Sequence, residues 1–112
     1  KFCNFVKLTY LATRMIYTFE WDPIKALSNF QKHRIRFEDA ATVIKDSNAL
    51  TIYDDEHSDI EERWVTLGLN SSGKLLVVIH TYNIIDNQNV LIRIISARKA
   101  TKNEIEKYKG GL

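Results

Sequence analysis

Two arginines and a histidine lie where neighbouring strands could bring them together: Arg63 in "EERWVTLGL", His80 in "KLLVVIHTY" and Arg93 in "VLIRIISA". A four-residue turn at Asn70–Gly73 places His80 opposite Arg63, and a turn through Asp86-Asn87 places His80 opposite Arg93. Side chains directly opposite on antiparallel strands share a face of the sheet. This register therefore predicts a row of Arg63, His80 and Arg93 across three strands.

Two guanidinium groups with an imidazole between them could bind and cleave a phosphodiester. Arginine donates paired hydrogen bonds to phosphate oxygens and stays charged, and histidine exchanges a proton near neutral pH. Cleavage needs no metal ion when the attacking group is the neighbouring ribose 2′-hydroxyl, because arginines can stabilise the charge that builds on the phosphoryl oxygens. The row therefore predicts a metal-independent endoribonuclease.

Each residue of the row also has an ordinary structural interpretation. Arg63 can pair with Glu61 or Glu62, Arg93 can lie at a sheet edge with its charge in water, and His80 can be a hydrogen-bonded core histidine. The catalytic base is either His80 or one of the two carboxylates. The alternative function is a non-catalytic module that binds RNA or protein.

The elements around these residues predict an α+β fold in the order β-α-α-β-β-β-β-α, a small antiparallel sheet with helices packed on one face. Asp22 and Pro23 read as the N-cap and first residue of the first helix, whose inward residues are expected to be Ile24, Leu27 and Phe30. Strands are predicted at 16–21, 49–53, 63–69, 74–82 and 90–97, and helices at 23–33, 37–46 and 102–109.

Charge is unevenly distributed in a chain whose formal net charge is only +2. Six acidic residues lie within 54–62, whereas six basic residues lie within 93–109. One end of the molecule is therefore expected to be positive, which suits a polyanion or an acidic partner, although two solvated charged stretches explain this feature equally well. Arg98 and Lys99, past the strand that carries Arg93, are candidate substrate-binding residues.

Composition limits the other possibilities. A chain of 112 residues is expected to form one domain. The lone Cys3 excludes an internal disulfide and indicates a reducing cytoplasm, and no cofactor loop or metal-ligand spacing is present. No apolar run is long enough for a membrane span. Met15 precedes a well-patterned strand, so the domain is expected at 15–112, with residues 1–14 an extension outside the fold.

Four stretches resemble the BrnT family of toxins from bacterial type II toxin–antitoxin modules: "FEWDPIKALSNFQKHRIRFEDAATVI", "DDEHSDIEERWVTLGL", "KLLVVIHTY" and "IRIISARKATKNEIEKY". The resemblance implies a RelE-like fold and ribonuclease activity that arrests translation, with no cofactor. It also implies a BrnA-type antitoxin that neutralises the toxin in a dimer-based hetero-oligomer. DNA would be contacted only through the antitoxin.

Residue by residue, the family pattern keeps Arg63, His80 and Arg93 as catalytic candidates, and it keeps Ser96 and Arg98 as candidates for substrate binding. It also keeps three residues of the first helix: Lys25, Asn29 and His33. Their i, i+4, i+8 spacing puts them on one stripe of the helix. This stripe could contact the partner or RNA, or simply face solvent.

One position departs from the family pattern. Asn83 follows "HTY", where family members often carry arginine. If that arginine contributes to phosphate binding, catalysis is expected to be weaker in this chain. A further alternative is then a degenerate toxin that acts only in a regulatory complex with its antitoxin.

Overall fold

The structure is a computed structural model that describes residues 5–12, 14–57 and 61–110. Its strands are β1 (Val6–Ala12), β2 (Met15–Trp21), β3 (Leu50–Tyr53), β4 (Trp64–Leu69), β5 (Leu75–His80), β6 (Asn83–Ile84) and β7 (Asn89–Lys99). Its α-helices are α1 (Pro23–His33), α2 (Phe37–Ala41) and α3 (Lys102–Gly110), with 3₁₀ turns at Thr42–Lys45 and Asp55–His57.

The strands form one sheet in the order β1-β2-β7-β5-β4-β3, with the short β6 also paired to β7. The central pair β2 and β7 is parallel, and the other neighbours are antiparallel. The predicted α+β class is confirmed. The sheet is mixed, however, because β7 lies parallel to β2, after a connection that contains α1, α2 and the strands β3 to β6.

The helices cover both faces of the sheet, which corrects the expectation that they share one. On the core face, α1 and α2 pack over a cluster that includes Phe19, Trp21 and Ile92. On the other side, the outer face, Tyr108 of α3 packs against Leu67 and Val77. The faces differ because side chains alternate along each strand, and Val77 lies between two core-face neighbours.

The strand β1 lies inside the segment that the sequence predicts to be an extension. Val6–Ala12 pairs with β2 along its whole length, and Leu8 and Tyr10 pack against the core cluster. The structure thus differs, for residues 6–12, from the expectation that 1–14 lie outside the fold. The physical reason is the alternation in "VKLTYLA", which gives β2 an antiparallel partner.

The start of α1 follows the prediction, but its inward face does not. The Asp22 carboxylate accepts a hydrogen bond from the Ile24 amide at 2.9 Å, as an N-cap should. Ile24 and Leu27 are nevertheless 76% and 59% exposed. The buried residue of this helix is Asn29.

Both hairpins of the central strands have three-residue loops, so the predicted register is wrong by one residue in each. In the first, the Asn70 amide donates to the Lys74 carbonyl, and Gly73 closes Ser71–Gly73 with φ +83°. This is the usual three-residue hairpin with a left-handed last residue. In the second, the Ile85 amide donates to the Asn89 carbonyl across the loop at 86–88.

The register places Trp64 and Ile94 opposite His80. It then shifts, because Ile79 pairs with Ser96 and leaves Ile95 as an extra residue in β7. Such a bulge bends a strand and re-aims the residues beyond it. Here it allows both Ile94 and Ala97 to face the core.

Asn29 fastens α1 to this bulged part of β7. Its side-chain oxygen accepts from the Ala97 amide at 3.1 Å, and its amide group donates to the Ala97 carbonyl at 2.9 Å. The same amide group reaches the carbonyl of Ile35 at 3.3 Å. A buried asparagine therefore satisfies backbone groups of the strand and of the chain after the helix.

Replacing Asn29 by alanine should lower the free energy of unfolding by about 2–3 kcal/mol, because its three side-chain hydrogen bonds are lost and Ala97 backbone groups are left buried without partners. Urea denaturation measures the change. Gln31→Ala, at an exposed amide of the same helix, is the control and should change stability by no more than about 0.5 kcal/mol. Equal losses for the two variants would contradict this role.

Candidate functional site

Two arginines meet a shared carboxylate at one end of the outer face. Glu61 lies 3.6 Å from the Arg93 guanidinium and 3.8 Å from that of Arg63. Arg93 also pairs with Glu20 at 3.4 Å. We call these four residues the arginine–carboxylate cluster.

Strand register explains why the two arginines share a face. Arg93 pairs with Glu20 on β2, which in turn pairs with Lys7 on β1. On the other side, the Thr81 amide donates to the Arg93 carbonyl. Continuing the β4–β5 register by one residue puts Arg63 opposite Thr81 as well. The predicted row therefore has Thr81 at its centre where His80 was expected.

His80 lies on the opposite face of the sheet from both arginines. It is 6% exposed, and its neighbours across the sheet are Trp64 and Ile94. The prediction that His80 shares a face with Arg63 and Arg93 is wrong, because each three-residue loop moves its partner strand by one position.

The His80 ring is hydrogen-bonded at both nitrogens. Nδ1 lies 2.8 Å from the Thr81 carbonyl, which can only accept, so Nδ1 carries the hydrogen. Nε2 then accepts from the Thr66 hydroxyl at 2.7 Å, and that oxygen lies 2.8 Å from the hydroxyl of Thr51. Burial lowers the pKa of His80 below its usual 6.5, although the hydrogen bond to Thr81 opposes this. The imidazole is therefore neutral and buried.

A polar cavity of about 210 Å³ adjoins the arginine–carboxylate cluster where β2 leads into α1. Its charged lining comes from Asp22, Lys25, Glu61 and Arg93. The Phe5 ring lies 4.9 Å from the Arg93 guanidinium and forms one wall. An exposed ammonium, a guanidinium and two carboxylates thus face one space large enough for a phosphate group.

The sequence prediction missed Glu20 and the placement of Lys25 in this site. Glu20 is flanked by the core residues Phe19 and Trp21. Strand alternation alone would have put it on the opposite face from them. What the sequence did not reveal is the parallel pairing of β2 with β7, which brings Glu20 beside Arg93.

Arg98 stabilises the start of α3 by binding Glu104. Its guanidinium makes two 2.8 Å hydrogen bonds to the Glu104 carboxylate and holds the pKa of that carboxyl at about 2. Glu104 also accepts from the Thr101 amide at 2.7 Å, while the Thr101 hydroxyl accepts from the Glu104 amide, which makes a capping box. Of the other two predicted substrate ligands, Lys99 is exposed and Ser96 is half-buried opposite Ile79.

The predicted stripe of α1 separates into three environments. Lys25 is exposed and lines the polar cavity. Asn29 is buried and bonded to Ala97, so the expectation that it contacts a partner or RNA is wrong. His33 is half-buried in the last turn of the helix.

Within the described residues, no three histidine, cysteine, aspartate or glutamate side chains are grouped to hold a metal ion. Across the same ranges, no helix has the length and apolar character needed to cross a bilayer. Cys3 and the acidic Asp59 lie outside the described residues.

The arrangement has the groups needed for phosphodiester chemistry. Two guanidinium groups can bind phosphoryl oxygens, a carboxylate can accept a proton, and an ammonium group can donate one. The Glu61 ion pairs are long and partly exposed, and pairs of this kind contribute only about 0–1 kcal/mol. An entering phosphate can therefore displace the carboxylate from the arginines.

Comparisons with known proteins point the same way. Residues 21–104 match the family model described as the ribonuclease toxin BrnT of type II toxin–antitoxin systems. Among solved structures, the ribonuclease toxin BrnT of Brucella abortus is similar, with a TM-score of 0.53 and 21% identity over 73% of this chain and 94% of that one. At that identity the likeness shows a shared fold. Comparison with curated proteins gives no match.

The buried state of His80 predicts a pH dependence of stability. Because its pKa is lower in the folded than in the unfolded chain, the unfolded chain binds the extra proton, and the free energy of unfolding should fall as the pH drops below about 6.5. His80→Gln should show a shallower fall between pH 7 and 5. Urea midpoints of the two proteins measured across this range test the prediction. Parallel curves would contradict it.

Proposed function

This chain belongs to the BrnT family of ribonuclease toxins from type II toxin–antitoxin systems, and from that premise we propose that it is an endoribonuclease that cleaves RNA without a metal ion. Cleavage of RNA in the cytoplasm would arrest translation. A BrnA-type antitoxin would neutralise the toxin. DNA would be contacted only by the antitoxin.

One observation carries the proposal: the Glu61 carboxylate lies between the guanidinium groups of Arg63 and Arg93, beside a polar cavity. In this arrangement a proton acceptor lies within ion-pair distance of two phosphate ligands. RNA cleavage requires this combination, because the 2′-hydroxyl must lose a proton while the adjacent phosphate gains charge.

In the proposed reaction, a phosphate of the RNA takes the place of Glu61 on the two arginines. The displaced carboxylate accepts the proton of the 2′-hydroxyl, whose oxygen attacks the phosphorus. The bond to the 5′-oxygen breaks, and the Lys25 ammonium donates the proton that this leaving oxygen needs. The products are a 2′,3′-cyclic phosphate and a free 5′-hydroxyl.

Glu20 and His80 have positioning roles in this proposal. Glu20 is buried beside Arg93 and fixes the orientation of its guanidinium. His80 holds the end of β5 through its bonds to Thr66 and to the Thr81 carbonyl, and Thr81 in turn accepts from the Arg93 amide at 2.9 Å. The histidine thus supports the arginine from the other face of the sheet.

Purified protein should cleave RNA in EDTA, and removal of either arginine should slow cleavage by about 10²–10³-fold, as loss of a transition-state hydrogen-bond donor does. Glu61→Gln should slow it by about 10²–10⁴-fold, the usual range for a general base. The assay is gel analysis of a labelled RNA, with the 2′,3′-cyclic phosphate identified at the new 3′ end.

Arg36→Ala is the matched control, because Arg36 is an exposed arginine beside α2 on the core face. It should cleave at the wild-type rate. His80→Gln, if folded, should retain most activity, whereas loss as complete as that of Glu61→Gln would make His80 the base and overturn the assignment. RNA binding without cleavage by the wild type would favour the non-catalytic module instead.

Induced expression in a bacterium without the antitoxin should stop growth, and Arg93→Ala should restore it because the phosphate ligand is lost. The measurements are colony counts and incorporation of labelled amino acids. Asn83→Arg should strengthen arrest if the exposed Asn83 weakens phosphate binding. Continued growth with folded wild-type protein that still binds its antitoxin would favour a degenerate toxin with a regulatory role.

A further inference from the structure

The strand β3 is an edge of the sheet with backbone groups directed outwards. In the part of the chain that the structure describes, no strand lies beyond it. The Asp54 amide donates to the Arg63 carbonyl at 2.8 Å, so Asp54 forms a hydrogen-bonded pair with β4. Because such pairs alternate along an antiparallel ladder, the amide and carbonyl groups of Thr51 and Tyr53 point away from β4.

Exposed apolar side chains surround this edge. All four residues of β3 are exposed, and Ile52 is 66% exposed. Ile84, in the strand that continues β5 beyond the end of β4, is 70% exposed. Proteins normally protect an edge with charges, bulges or a covering element. This edge instead presents an apolar surface of the kind that marks interaction sites.

A groove beside the edge provides room for a side chain of another molecule. It has a volume of about 620 Å³ and is lined by Ile44, Thr51, Trp64, Tyr82, Asn83 and Ile84. A narrower cavity of about 150 Å³ shares Ile44, Thr51 and Tyr82 with it and extends inwards to Thr66 and His80. An added strand on β3 would direct every second side chain into this groove.

The charges next to β3 select the partner. Asp55 and Glu56 come just after Asp54, the first residue beyond the strand, and both are exposed. A segment that pairs with β3 would end beside these carboxylates, so it needs basic residues there. Nucleic acid is disfavoured at this edge for the same reason.

We propose that the antitoxin binds this chain by adding an extended segment to the edge of β3, with an apolar side chain in the groove and a basic residue beside Asp55 and Glu56. The inference rests on the proposed function for the existence of a protein antitoxin. Backbone pairing supplies affinity, and the groove supplies specificity, as in other complexes formed by strand addition.

The test uses the antitoxin of the same operon, co-expressed and purified with the full chain. Hydrogen exchange followed by NMR should show the Thr51 and Tyr53 amides protected by about tenfold or more in the complex relative to the chain alone, because outward amides exchange freely until they are paired. Equal exchange in both states, or no complex at all, would overturn the proposal. Protection that instead rises with the concentration of the chain alone would assign the edge to a second copy and overturn it too.

Two matched variants compare the effect on antitoxin binding of an apolar residue in the groove with that of an exposed apolar residue elsewhere. Ile84→Asp should weaken antitoxin binding by about tenfold or more, as removal of an interface anchor does. Ile24→Asp changes an isoleucine of similar exposure on α1 and should leave the affinity within about twofold. Equal effects would contradict the groove assignment.

Backbone pairing is tested at Thr51. Thr51→Pro removes the outward amide, whereas Thr51→Val removes the hydroxyl and keeps the amide. Only the proline variant should lose antitoxin binding, with folding of both verified by circular dichroism, and equal affinities would count against strand addition. RNA cleavage assayed without antitoxin reports separately on the proposed function, so failure of one proposal is distinguishable from failure of the other.

Discussion

The register of β4, β5 and β7 is the constraint on which the rest of this structure depends, because it decides which face each side chain joins. Two three-residue loops set that register. A loop longer by one residue in either hairpin would send an arginine to the core face. With both loops as they are, Arg63 and Arg93 meet Glu61 on the outer face, and His80 is buried with Thr66.

Much of the fold follows from local patterns, but the register does not. Alternation and the Asp22-Pro23 cap suffice to predict most strands and the start of α1. The segment "NSSG" is compatible with a loop of three or four residues. The choice depends on Gly73 in the left-handed region and on the Asn70 side chain, which accepts from the Ser72 and Lys74 amides. The bulge at Ile95 has no sequence signal of its own.

Polar residues near strand ends are ambiguous for a related physical reason. Asn29 and Arg98 have the residue types of ligands, yet each completes hydrogen bonds that the fold itself requires. A buried strand needs partners at its bulge, and an N-terminus of a helix needs its capping carboxylate held in place. Residue type cannot distinguish these needs from binding. Only the contacts that each side chain makes in the folded structure distinguish them. Lys25 and Arg93 are the ones that lie beside the open cavity.

The site and the proposed docking edge are linked through the chain itself. The two ends of the segment 54–61, which follows β3, are held by different kinds of interaction. Asp54 is fixed to Arg63 by a backbone hydrogen bond, whereas Glu61 makes long, half-exposed ion pairs with Arg63 and Arg93. A partner strand on β3 would immobilise the first end and bring basic residues near the acidic turn. In the proposed mechanism Glu61 leaves the arginines when a phosphate binds them, so a partner that restricts Glu61 would oppose catalysis without covering the cavity.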